Sequence, residues 1–356
     1  MADFLLENAA FYLSKQPESS LNTGYTAGAD FLKALSAQPF FILPQVEFVT
    51  DAGKPGNGHE FPTRQCPTYV GHPAATFTDE VNVSYAGRLL LRSLGGSVTT
   101  AQQGGSAAWK HSCVMLDALS SRQLPSTTMI SLLGGASFRL DGMVVDRYRL
   151  SQNRADIPQY SVDLVGSGDF TRPHGVTSLP ATADILTCLD GNQTVISWTD
   201  TVGAQTLTSG CQVRSSFIEV SNSTKLNDRC PGDPVVTITD GALTTTPAYV
   251  QKMRHGTRTA TAQIVITLDS TIPDWLTYAT NDVLTDVTFQ YRGAIIASTF
   301  RYMLSYIMPK ARITSIETGE NDGDAVQTLN LTGFWDGATS TALKGEVQNT
   351  ETSAYA

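Results

Sequence analysis

The stretch VVDRYRLSQNRADIPQYSVDLVGSGDF, residues 144–170, reads as two extended segments joined by a polar turn, with arginines and aspartates interleaved among its apolar positions. It has a counterpart further along the chain. Residues 145–166 and 313–333 both run strand, polar turn, strand, glycine, and Val162, Leu164 and Gly166 match Leu329, Leu331 and Gly333 at a constant offset. The second turn is shorter by one residue. Upstream, EVNVSY followed by a leucine-rich helix finds an echo in AQIVITL followed by a helix around Trp275. The order strand, short helix, strands, long hairpin is thus the same in both halves, which predicts duplication of one unit of about 165 residues.

Length agrees with that reading, since 356 residues suggest two domains of about 150 residues each. The expected division is 1–172 and 173–356, with the change of text at TRPHGVTSLPATADI as the connection and a polar tail at the C-terminal end. Charged residues make up only 16% of the chain, which favours packed strands and turns over long charged helices. Strands are expected at FILPQVEFVT (41–50), DEVNVSYAG (79–87) and SFRLDGMVVDRYRL (137–150). In the second half they are expected at TVISWTD, CQVRSSFIEVSN, ATAQIVITLDS and DVTFQYRGAIIASTFRYML, before the hairpin ARITSIETGENDGDAVQTLNLTGFW. Short helices are predicted over residues 2–13, over AGRLLLRSLGG (86–96) with Gly95 and Gly96 as its stop, and over PDWLTYAT (273–280).

The sequence offers little chemistry. The opening MADFLLENAAFYLSKQPESS lacks the basic and apolar regions of a signal peptide, and no run reaches the 18 or so apolar residues of a membrane span. A soluble chain made in the cytoplasm, without a membrane anchor, is expected. Cys66, Cys113, Cys188, Cys211 and Cys230 are odd in number and far apart, and the five histidines have no metal-ligand spacing, so no disulfide framework, metal or cofactor is expected. His111 and Cys113 would share a face of a strand and could pair as imidazole and thiolate, although free buried thiols are the simpler expectation. GENDGD (319–324) gathers acids but lacks the spacing of a calcium loop and sits where a hairpin must turn. TAQQGGSAAW (100–109) reads as a flexible loop. Phosphate-binding glycine motifs and the GxSxG elbow are absent, so an enzyme is not expected.

Arg147, Arg149 and Arg154 cluster in the first hairpin, with Asp141, Asp146, Asp156 and Asp163 among them. That mixed surface suits salt bridging to a neighbouring copy better than DNA binding, and a formal charge of -9 argues the same way. The second tip is acidic, with Glu320, Asp322 and Asp324. Arg147, Arg149, Arg154, Asp156, Glu320, Asp322 and Asp324 are therefore the candidate subunit-contact residues.

DEVNVSYAGRLLLRSLGG, the hairpin ending IPQYSVDLVGSGDF, the opening FYLSKQPESSLNTGYTAGADF and HGTRTATAQIVITL together resemble the tail tube proteins of long-tailed, siphovirus-like bacteriophages. The resemblance is one of pattern over most of the chain, without an invariant motif. It implies a mainly β fold of two tandem β-sandwich or barrel domains, each with a short flanking helix, similar to the type VI secretion tube protein. It further implies a structural virion protein whose rings stack into the hollow tail tube through which phage DNA passes without sequence-specific binding. Most members carry one such unit and form hexamers, so two units imply a trimeric, pseudo-hexameric ring. The partners implied are further copies of the chain and the tape measure, tail terminator and distal tail proteins. Two rivals remain open at this point: a secreted or surface adhesive, carbohydrate-binding β-sandwich, and a hydrolase with a dispersed site.

Overall fold

The computed structural model describes residues 10–35, 40–42, 46–50, 65–70, 72–117, 123–133, 136–154, 156–167, 170–183, 189–199, 204–208, 213–225, 237–239, 242–244, 253–268, 283–321 and 323–352. These residues are mainly β, with one α-helix. The first half contributes β1 (Ala10–Ser14), β2 (Phe31–Lys33), β3 (Phe40–Ile42), β4 (Val46–Thr50), β5 (Gln65–Val70) and β6 (Ala74–Glu80), then α1 (Val83–Leu94). It continues with β7 (Thr99–Gln102), β8 (Trp109–Val114), β9 (Thr127–Leu133), β10 (Ala136–Asn153), β11 (Gln159–Gly166) and β12 (Phe170–Thr171). The second half contributes β13 (Val195–Thr199), β14 (Ala204–Thr208), β15 (Val213–Ser221), β16 (Thr237–Thr239), β17 (Ala242–Thr244) and β18 (Thr259–Thr267). It ends with β19 (Val283–Ala297), β20 (Phe300–Asn321), β21 (Asp324–Gly333) and β22 (Lys344–Asn349).

Apart from the ribbons β4–β5 and β16–β17, these strands join one large antiparallel sheet that branches at its two longest strands. β10 pairs with β9 along its first part, with β15 along residues 147–153, and with β11 and β12 on its other edge. β20 pairs with β19 on one edge, and with β22 and β21 on the other. The two halves interlock in the process. β15 of the second half lies on β10 of the first, and β22 lies on β8, with Val347 opposite His111.

The repeated hairpins have matching registers. In β10–β11, Val145 stands opposite Leu164 and the register then slips, so that Arg147 faces Asp163. In β20–β21, Ile313 stands opposite Leu331 and the register slips at the same place, so that Ser315 faces Asn330. Such a bulge inserts one residue and sharpens the local twist, which bends each arm at an equivalent point. The next strands match as well: β11 sets Val162 against Phe77 and Leu164 against Ala75 on β6, while β21 sets Leu329 against Ile264 and Leu331 against Ala262 on β18.

The helix begins three residues before its expected start, and the strand expected to run to residue 87 ends at Glu80. Asn82 explains both, because its side-chain oxygen accepts from the backbone N–H groups of Ser84 (2.9 Å) and Tyr85 (3.2 Å) and so nucleates the first turn. Gly95 stops the helix in the left-handed region at φ 74°, as its position after the leucine run predicts. Every residue of α1 is buried, and Leu89, Leu90 and Leu94 join a core drawn from both halves, including Leu304 and Val347.

Two other expectations are corrected. Residues 10–13 of the expected N-terminal helix are strand β1, and the rest of that segment lies outside the described residues. Phe11 and Leu13 enter the main core while Tyr12 packs into a second cluster, so both faces are buried. A strand of that kind reads as an unbroken apolar run, which periodicity cannot tell from a helix. Residues 100–109 form the β7–β8 hairpin, with Gln102 opposite Trp109, where a flexible loop was expected. The C-terminal tail includes a buried strand, β22. The expected helix over 273–280 lies outside the described residues.

Candidate subunit-contact hairpins

The first arm lies against the second half of its own chain. Arg147 forms ion pairs with Asp163 (3.5 Å) on β11 and Glu219 (3.2 Å) on β15, and Arg149 reaches the same Glu219 at 3.9 Å. The Arg149 guanidinium also sits 3.9 Å from the centre of the Phe217 ring. Gln152 is buried and donates to the carbonyls of Gly191 (2.5 Å) and Arg154 (3.0 Å) while accepting from the Thr194 hydroxyl. At the tip, Arg154 adopts φ 49° and its N–H donates to the Arg214 carbonyl at 2.6 Å, and the Asp156 N–H donates to the Asn153 carbonyl at 3.0 Å. The charges expected to meet a neighbouring copy therefore include two, Arg147 and Arg149, that pair with acids of the same chain.

The second arm is more exposed. Asn321 stands opposite Asp324 across a tight turn in which Gly323 has φ 84°, a conformation that favours glycine. Glu320 and Asp324 are exposed, and Asp322 lies outside the described residues. Asp324 pairs with the Arg214 side chain, which also donates to the Thr267 hydroxyl at 2.8 Å. Arg214 thus touches both tips, its backbone holding Arg154 and its guanidinium holding Asp324. Sequence reasoning missed Arg214 and Glu219, because an isolated charge on a strand carries no mark of a partner from a distant hairpin. Exposed ion pairs of this kind are worth only about 0–1 kcal/mol each, so they orient the arms while strand pairing holds them.

His111 and Cys113 both point inward, but each has its own partners. The His111 ring contacts the Thr100 hydroxyl (2.9 Å) and the Asn349 side chain (3.1 Å), and its burial lowers its basicity. Cys113 donates to the Gly96 and Leu91 carbonyls at 3.2 and 3.6 Å, and burial pushes its thiol up to about 11. A thiol held protonated is a poor nucleophile. Cys113 in the folded protein is accordingly expected to resist iodoacetamide at pH 8 and to react once the chain is unfolded in urea, as followed by peptide mass spectrometry. Rapid labelling of the native protein would contradict this burial. Among the described residues, no three His, Cys, Asp or Glu side chains converge to hold a metal ion. A cleft of about 500 Å³ lies beside the exposed Phe334 and Trp335, lined also by Lys225, His255 and Arg258.

No family model matches the chain, and no curated protein matches it.

Proposed function

We propose that this chain is a structural subunit that joins copies of itself into rings, and that these rings stack into a hollow tube of the kind found in the tails of long-tailed phages. The observation that carries the reading is the repeated hairpin, with the same bulge and the same neighbouring strand in each half of the chain. A chain with two tandem copies of one unit presents two similar arms, and three such chains make a six-fold arrangement of arms. Residues 1–172 and 173–356 are the two units of this proposal. Its place would be the virion tail, its partners further copies and the tail proteins at either end. A net charge of -9 suits a conduit for DNA, since a strongly basic lumen would hold the phosphates.

Size-exclusion chromatography with light scattering, followed by negative-stain microscopy, tests the reading. Trimers, rings or tubes of uniform width are expected. A monomer at all concentrations would overturn it. The aromatic pair Phe334 and Trp335 beside the cleft favours one second reading, sugar binding by ring stacking, which a monomer whose Trp335 fluorescence changes on adding glycans would support.

A further inference from the structure

The two arms differ in one respect. Residues 147–151 of β10 carry a strand on each edge, β11 on one side and β15 of the other half on the second. Residues 315–321 of β20 carry β21 on one edge and, among the described residues, no strand on the other; the described pairing with β19 reaches as far as Arg312, opposite Val283. Exposure follows the same division. Tyr148, Leu150 and Gln152 are buried, whereas their matches Ile316, Thr318 and Glu320 are half-buried, exposed and exposed.

The strand that covers β10 has its own counterpart. β15 lies on β18 with Ile218 opposite Ala262, and β3 lies on β6 with Phe41 opposite Ala75. Because β18 sits on β21 as β6 sits on β11, Phe41 is the match of Ile218. The second edge of β3 also carries no strand among the described residues. One chain therefore contains a complete junction, β10 with β15, and the two separate parts of a second, β20 and β3.

We infer that the second junction forms between copies, with Phe40–Ile42 of one copy adding antiparallel to residues 317–319 of β20 in the next. The register is that of the internal junction, where Leu150 faces Ile218 and Arg149 faces Glu219. It sets Thr318 opposite Phe41 and Glu317 opposite Ile42. The inference rests on the self-assembly reading and supplies its partner strand and alignment. Backbone hydrogen bonds along the edge provide the attachment, as in other cases of strand addition. The two edges are different surfaces, so copies join head to tail, and a ring results where the rotation closes.

Cross-linking tests the alignment separately from assembly. Glu317→Cys and Ile42→Cys are placed in two separate preparations of the full chain, mixed, assembled and treated with a short bis-maleimide. Glu317→Cys mixed with Thr206→Cys, an exposed site on β14, is the control, and each single variant alone reports the native cysteines. A covalent dimer from the first mixture and none from the controls is expected. Assembly by microscopy with no cross-link, or with equal cross-linking to Thr206→Cys, would remove this strand pairing while leaving self-assembly standing. Failure of the unmodified chain to assemble at all would overturn both.

Discussion

Replacing Arg258 with alanine is expected to destabilise the whole chain by about 3 kcal/mol or more, since each hydrogen bond to a charged donor is worth about 1.5–3 kcal/mol and four are lost together. Arg258 leads into β18 of the second half, yet it closes the C-terminal end of α1 in the first. Its guanidinium donates to the carbonyls of Ser93 (2.5 Å), Leu94 (3.0 Å) and Leu116 (2.8 Å) and to the Asn222 side chain (2.7 Å). The last carbonyls of a helix have no partner within it and carry its negative end, so a cation there satisfies both needs. Burial pulls the guanidinium down to about 10, which leaves it charged at neutral pH. Asn222 adds its amide to Ser93 O (3.0 Å) and Val145 O (2.7 Å), so the site holds helix, arm and second half together. Arg258→Lys restores only part of the loss, because one ammonium cannot reproduce the planar fork. Urea unfolding followed by circular dichroism measures this. A loss below about 1 kcal/mol would show that solvent replaces these bonds and that the site does not bind the halves.

The second large effect is expected at Glu18, a buried carboxylate just after β1. One oxygen accepts from the Thr128 hydroxyl and the Gly142 N–H, both at 2.9 Å, and the other from the Ser126 hydroxyl (2.8 Å) and the Asn22 N–H (3.0 Å). Every partner is a donor. Glu18→Gln keeps the shape but turns an amide N–H₂ toward N–H and O–H groups, and a buried donor left unpaired costs about 1–3 kcal/mol. Glu18→Ala removes both acceptors and is expected to cost about 3 kcal/mol or more. An E18Q variant as stable as the parent in urea would mean that the donors find other acceptors.

Neither residue could be picked out from the text of the chain. Arg258 and Glu18 lie in connecting segments, and their partners come from elements far away in sequence, so no spacing announces them. The hairpins were legible for the opposite reason: Val162, Leu164 and Gly166 recur as Leu329, Leu331 and Gly333 because both strands bury one face on a similar neighbour. The bulges were not legible. Met143, Val144 and Val145 are all buried, so no break in alternation marks where the first arm slips. β1 was hidden in the same way, with Phe11, Tyr12 and Leu13 buried on two faces. Of the candidate contact residues, the text showed the charges but not that Arg147, Arg149 and Asp324 would find partners in their own chain.

β22 has a consequence for the order in which the molecule is made. It lies on β8, packs Val347 against Gly87 of the helix, and places Asn349 against His111, so the first half is unfinished until this segment arrives. Of all the described strands, β22 leaves the ribosome last. An emerging first half must therefore wait, with the groove for β22 empty, through the synthesis of everything between. A chain cut short by premature termination would lack the strand that completes its beginning.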